Sequence, residues 1–240
     1  MNIALLLSGG TGVRLGESIP KQYLSVEGRP VIAYAMEKLF YHENINAVHI
    51  VAEPAWQGEI RKWISLYDHA EKFQGFCLPG ANRQLSILQG LEDIKDYADN
   101  RDCIFIHDAA RPLLSDHQIT ECLKAVRGHD GVIPVLPMKD TVYTSKDGKT
   151  ISALVKRNEV FAGQAPEVFR LGKYYEANRR LLPDKILQIN GSTEPAVMAG
   201  MDIAMIPGDE GNFKITTKMD LERFECVVKE KSYFDCGQTE

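Results

Sequence analysis

The sequence has no C-x-x-C pair, no low-complexity linker, no surplus of positive charge, and no apolar run near the roughly 20 residues of a membrane helix. Each absence excludes something. The five cysteines, Cys77, Cys103, Cys122, Cys226 and Cys236, are odd in number and follow no paired spacing. They are expected as reduced thiols of a cytoplasmic protein. A formal net charge of −5 argues against a broad nucleic-acid footprint, so an anionic small molecule would need a local basic pocket. No membrane partner is expected either. The apolar stretch at residues 1–7 lacks a basic flank and runs into glycines, which suits a first buried strand better than a signal peptide.

What is present is an alternation. A chain of 240 residues can bury a sizeable core as one domain. That domain is expected over residues 1–231, with a polar tail at 232–240. Continuous apolar runs at 3–7, 47–52, 75–78, 102–107 and 131–137 read as buried strands. Amphipathic stretches at 30–39, 55–65, 84–94 and 115–127 read as helices, the last with Ser115 as N-cap. The resulting βαβαβαβαβ order predicts an α/β fold: a mostly parallel sheet with helices on both faces. The rhythm then breaks. Residues 141–144, a turn at 146–149 and residues 150–154 read as a β-hairpin with no obvious place in a parallel core. The stretch 139–160 is therefore expected as a protruding β-arm. A helix near 172–181, a strand at 202–206 and a helix at 218–229 follow.

Four segments carry candidate chemistry. The first is the loop Ser8-Gly9-Gly10-Thr11-Gly12 after the first strand, flanked by Arg14 and Lys21. Glycines let backbone N–H groups approach phosphate oxygens. The loop lacks the Gly-Lys-Ser/Thr ending of a Walker A motif, and its spacing misses a dinucleotide fingerprint. Two cations beside it suit a nucleotidyltransferase, where charge stabilisation at phosphorus is the main task. The second segment, Gly80-Ala81-Asn82-Arg83-Gln84-Leu85-Ser86, opens a helix. Gly80 and Ala81 are positioned to read a base edge, Arg83 to favour anions, and Ser86 to bond base or ribose. The third, His107-Asp108-Ala109-Ala110-Arg111, ends a buried strand where such sheets bind ligands. Asp108 is a candidate ligand for Mg²⁺ accompanying a triphosphate, and Arg111 a partner for it. His107 reads as structural. The fourth is a scattered set, Asp140, Thr141, Arg157 and Lys214, offering cations and hydroxyl partners for a phosphorylated polyol. A rival reading, an NAD(P)-binding oxidoreductase, needs an acid soon after the second strand. Glu53 is the only candidate, about twice as far from the loop as that fingerprint wants.

Together these segments resemble the family of 2-C-methyl-D-erythritol 4-phosphate cytidylyltransferase and its sibling ribitol-5-phosphate cytidylyltransferase, from Leu5 to about Phe224. The glycine loop with Pro20-Lys21-Gln22, the segment ending at Pro112, and Phe213-Lys214-Ile215-Thr216 carry the likeness. The resemblance implies a Rossmann-like sheet, a homodimer joined through its hairpin arms, CTP and a polyol phosphate as substrates, and Mg²⁺. It implies Arg14, Lys21 and Lys214 as catalytic cations. Ser8, Gly9, Gly10, Thr11, Gly12, Gly80, Ala81, Arg83, Ser86, Asp108 and Ala110 would hold the nucleotide. Arg111, Asp140, Thr141, Arg157 and Gln164 would hold the acceptor, with Arg157 reaching across from the partner subunit. Two segments depart from the pattern. Gln164-Ala165-Pro166-Glu167 stands where Gln-Thr-Pro-Gln is usual, and Ser192-Thr193-Glu194-Pro195 where Thr-Asp is. Both bear on the acceptor. The Gly9-Gly10-Thr11-Gly12 loop and Lys214-Ile215-Thr216-Thr217 resemble the ribitol branch and His107-Asp108-Ala109-Ala110-Arg111-Pro112 the methylerythritol branch, and the expected acceptor leans towards the ribitol kind. A non-catalytic nucleotide-binding member of the family is the other alternative.

Overall fold

The structure, a computed structural model, describes residues 1–10 and 19–236, with side chains as far as residue 230. Its centre is β1 (Asn2–Leu7), paired in parallel with β4 (Ala47–Val51) on one side and β6 (Cys103–Asp108) on the other. β5 (Phe73–Cys77) adds to β4, again in parallel. Successive residues of β1 face opposite sides of the sheet. Ile3 and Leu5 pack under α3 (Arg83–Lys95) and α5 (Leu171–Arg179), whereas Ala4 and Leu6 pack under α1 (Val31–Tyr41), α2 (Pro54–Tyr67) and α4 (Asp116–Ala125). Burial on both faces explains the unbroken apolar runs.

Register decides where a site can form. Leu7 pairs with both Val51 and Asp108, and Val51 pairs with Cys77. The four strands therefore end at one level, and the loops leaving β1, β5 and β6 open side by side. Helix capping reinforces this edge. Asn82 accepts the N–H of Leu85 at the start of α3, and Ser115, as expected, accepts that of Gln118 at the start of α4.

The other half of the sheet is mixed. β11 (Glu167–Arg170) runs antiparallel between β6 and β7 (Gly131–Pro137). β10 (Phe161–Gly163) also pairs antiparallel with β7, and β12 (Ile203–Pro207) parallel with it. Val132 bonds both Val168 and Ala204, and Val135 both Gly163 and Pro207. Hence β10 and β11 share one edge of β7, and β12 has the other. β8 (Val142–Thr144) and β9 (Ala153–Val155) form a separate two-stranded sheet, with Tyr143, Ile151 and Leu154 exposed. Five strands and helices were not assigned from the sequence: the short pair β2 (Ser25–Val26) and β3 (Arg29–Pro30), β10, β11, and the one-turn α6 (Glu194–Met198). The last helix, α7 (Lys218–Cys236), continues past its expected end at residue 229 and takes in part of the stretch read as a tail. Among the described residues no helix is long and apolar enough to cross a membrane.

Candidate active site

The row of strand ends borders a cavity of about 470 Å³, in the size range of small-molecule sites. Gly9, Gly10, Lys21, Gly80, Ala81, Arg83, Ser86, Asp108, Ala110 and Lys214, singled out in the sequence as nucleotide-binding or catalytic candidates, all line it. A larger hollow of about 900 Å³ lies beside α5, where Asn100 precedes β6 and Asp130 precedes β7. That is the amino-terminal edge of the parallel strands and holds none of the expected residues; ligands of open α/β sheets bind at the carboxyl edge.

The two backbone loops are pressed together. A Cβ on Gly9 would lie 2.4 Å from Pro79 Cβ, and one on Gly80 would lie 2.5 Å from Leu85 Cβ and 2.9 Å from the Ser86 nitrogen. Only glycine allows such an approach. Gln22, one residue beyond Lys21, ties the first loop down: its Nε2 donates to the carbonyls of Ser8 at 2.6 Å and Gly10 at 2.7 Å.

Asp108 organises the charge. Arg83 donates from Nε at 3.2 Å and Nη2 at 3.1 Å to Oδ1, Lys214 Nζ lies 2.9 Å from Oδ2, and Arg111 Nε lies 3.7 Å from Oδ2. Burial acts to raise the Asp108 pKa, but Arg83 and then Lys214 outweigh it and hold the carboxyl well below the usual carboxylate range. Burial likewise opposes the charge on Arg83, while Asp108 and Glu167 favour it, and its pKa is raised. His107, fully buried with Nε2 3.0 Å from the Arg111 carbonyl, is pushed by burial to about 4 and stays neutral, a structural role as expected.

A second layer was not foreseen. Arg83 Nη1 donates to Ser192 Oγ at 2.6 Å, Ser192 Oγ donates to Glu167 Oε1 at 2.6 Å, and Thr193 Oγ1 donates to Glu167 Oε2 at 2.9 Å. Tyr174 OH holds the Ser192 carbonyl at 2.7 Å. The two departures from the family pattern thus touch each other. Burial raises the Glu167 pKa against the pull of Arg83 and the two hydroxyls. The departures themselves were the only sequence signal for this cluster. Asn82 and Thr216 lay in quoted motifs without a role of their own, and Glu53 was weighed only for the dinucleotide reading; Pro79, which also lines the cavity, was not singled out.

The other expected residues are placed differently. The Ser8 hydroxyl bonds the Val51 carbonyl at 2.7 Å and lies 3.1 Å from Tyr23 OH, so it is turned into the core and serves the fold. The Ser86 hydroxyl donates to the Asn82 carbonyl and accepts from the Gly80 N–H, both at 2.9 Å, so its proton is spent on the loop. Gln164 uses both ends of its amide on the backbone of Asp209 at 2.9 Å, imitating a strand pairing where β10 gives way to β11. Arg111 does not line the cavity and donates to the Asn212 carbonyl at 2.7 Å. Asp140, Thr141 and Arg157 are exposed on the arm, with Arg157 donating to the Lys139 carbonyl at 3.1 Å, and none borders this chain's own cavity. Thr11, Gly12 and Arg14 lie outside the described residues.

The donor set does not fit a divalent metal held by this chain. Both oxygens of Asp108 are engaged by cations, and Glu167 is engaged by Ser192 and Thr193. Glu53 is the one further carboxylate among the described lining residues, so a Mg²⁺ ion here would draw most of its oxygen ligands from substrate phosphates and water. Asp108 here is the counter-ion that gathers Arg83, Lys214 and Arg111.

The sequence model of the family described as 2-C-methyl-D-erythritol 4-phosphate cytidylyltransferase (IspD) matches residues 2–230. A bifunctional enzyme IspD/IspF of Granulibacter bethesdensis is 34% identical over 92% of this chain; the chain spans about half of that relative, 55% of its length. A ribitol-5-phosphate cytidylyltransferase of Vibrio parahaemolyticus is 30% identical over 95% of this chain and 96% of its own. Among solved structures, the 4-diphosphocytidyl-2C-methyl-D-erythritol synthase of Anaerococcus prevotii superposes with a TM-score of 0.81 over 95% of this chain and 96% of its own, at 20% identity, a likeness of fold.

Proposed function

The chain belongs to the 2-C-methyl-D-erythritol 4-phosphate cytidylyltransferase family, and from that premise we propose that it transfers CMP from CTP to a small polyol phosphate. A phosphate oxygen of the acceptor attacks the α-phosphorus of CTP. The bond from that phosphorus to the bridging oxygen breaks, and pyrophosphate leaves with the electron pair. One observation carries the reading. Lys21, Arg83 and Lys214 line one cavity together with two glycine loops and the buried Asp108, which pairs with Arg83 and Lys214, so three cations and one carboxylate face the space where an anion would bind. Such preorganised charge acts where negative charge grows in phosphoryl transfer. Lys21 and Lys214 would meet the triphosphate, with Arg14 as the third cation the sequence suggests, while the Gly80–Ala81 backbone would meet the base. Mg²⁺ would enter on the triphosphate, as part of the substrate.

The acceptor we propose is of the ribitol 5-phosphate kind. The Gly9–Gly10 loop and Lys214-Ile215-Thr216-Thr217 resemble that branch, and the Vibrio relative is matched along nearly its whole length. Incubating the protein with CTP, Mg²⁺ and a panel of polyol phosphates should release pyrophosphate with ribitol 5-phosphate ahead of 2-C-methyl-D-erythritol 4-phosphate. In parallel, CTP and not NAD should raise the melting temperature. A shift with NAD, and no pyrophosphate with any acceptor, would return the oxidoreductase reading; a shift with CTP but no turnover would mark a nucleotide-binding member without catalysis.

The arm carries the proposal of a homodimer. An isolated hairpin is marginal in water, and here Ile151 and Leu154 are left two-thirds exposed, at 67% and 66%. Packing on a second copy would cover them and bring Thr141 and Arg157 towards the neighbour's cavity. Light scattering should give about twice 26.9 kDa. Mixing Arg157→Ala subunits with Lys21→Ala subunits should restore part of the activity, because one hybrid site then keeps both residues. A fully active monomer at nanomolar concentration would remove the dimer, and a dimer without complementation would remove Arg157 from a shared site.

A further inference from the structure

We propose that His49, Cys77 and Asp93 form a binding site for a zinc-like divalent cation beneath α3, separate from the nucleotide cavity. Strand register brings the first two together. His49 pairs with Gly75 and Val51 with Cys77, so His49 and Cys77 share one face of neighbouring strands. α3 lies across that face. A Cβ on its Gly90 would come within 3.3 Å of Cys77 Sγ, and Asp93 follows three residues later, one turn along the same side. The ligand atoms of the three side chains all lie within 4.8 Å of one another.

His49 is an independent sign of a missing partner. It is only 4% exposed, and neither ring nitrogen makes a hydrogen bond; Nε2 stands 3.5 Å from Asp93 Oδ2. Buried polar atoms without partners are rare in folded proteins. Zinc bonds of about 2.0–2.3 Å at tetrahedral angles set ligand atoms roughly 3.3–3.7 Å apart. The His49–Asp93 pair already has that separation, and Cys77 Sγ needs to close by at most about 1 Å. One nitrogen, one sulfur and one oxygen ligand are a zinc-type set. The Asp93 side chain, 49% exposed, provides a route from solvent and room for water as fourth ligand. On binding, the metal–sulfur bond forms and the thiol proton passes to solvent. The cation would tie β5 to α3, the two elements that flank the Gly80 loop, and so stiffen that loop from behind.

Cobalt(II) tests this as a coloured stand-in for zinc. The intact chain, stripped with chelator and dialysed, should take up one Co²⁺ with a thiolate-to-cobalt charge-transfer band, displaced by one Zn²⁺. Cys226→Ser, which removes an exposed thiol, should leave the band unchanged. Cys77→Ser should abolish it, and Asp93→Asn should weaken Co²⁺ binding by at least about tenfold. The partly exposed Asp93 variant decides the matter if Cys77→Ser does not fold. Absence of the band in the parent chain, its persistence in Cys77→Ser, or unchanged affinity in Asp93→Asn would each overturn the site and leave an ordinary buried His–Asp pair.

Discussion

Lys214→Ala is expected to lower kcat for CMP transfer by about 10²-fold or more, with a smaller change in KM for CTP. The reason is geometric. Lys214 follows Phe213 in the segment before α7, and its Nζ is fixed 2.9 Å from Asp108 Oδ2 with about a third of the side chain open to the cavity. A cation so held needs little rearrangement when charge builds on the α-phosphate and the departing pyrophosphate. Binding of ground-state CTP would draw on Lys21, Arg83 and two backbone loops as well, so losing one lysine should cost binding less than turnover. Lys21→Ala should show the same division, since Lys21 lines the same cavity and is followed by the Gln22 clamp on the first loop. Steady-state kinetics with pyrophosphate detection measures both. A Lys214→Ala enzyme with near-parental kcat, or one whose entire defect lies in KM, would mean that Lys214 does not meet the transition state.

Asp108→Ala should destabilise the fold by about 3 kcal/mol, the lower end of what is seen when one partner of a buried ion pair is removed. The loss falls on the cations left behind. Arg83 keeps Ser192, with Glu167 beyond it, but Arg111 is 13% exposed in its side chain and Lys214 35%, and each loses its carboxylate. The lower end applies because Lys214 can still reach water. The effect has a sign in pH. Arg83, Lys214 and Arg111 hold the folded-state carboxyl below its unfolded value, so protons bind the unfolded chain more readily. Its contribution is complete above the unfolded pKa of about 3.9 and fades as pH falls further towards the folded value. Urea unfolding should therefore show a large gap between parent and Asp108→Ala at neutral pH, narrowing below pH ~4. A variant as stable as its parent at neutral pH would remove Asp108 as the counter-ion of this cluster.

Much of this was legible along the chain. The apolar runs placed the parallel strands because residues buried on both faces cannot alternate with polar ones. The glycine loops, Lys21, Asp108 and Lys214 could be assigned to one site because each immediately follows or ends a strand, or lies in a short motif. What the chain order could not say is where a polar side chain spends its hydrogen bonds. Ser8 and Gln164 sit in segments that resemble binding motifs, yet their polar atoms are consumed by Val51 and Asp209. Nor could it join residues far apart in sequence. Glu167 with Ser192 and Thr193, and His49 with Cys77 and Asp93, meet only through strand register and helix packing. Local propensity and period determine elements and loop chemistry in stretches of a few residues. Partnership between buried polar groups depends on which elements pack together and in what register, and the desolvation of each group made that choice in three dimensions.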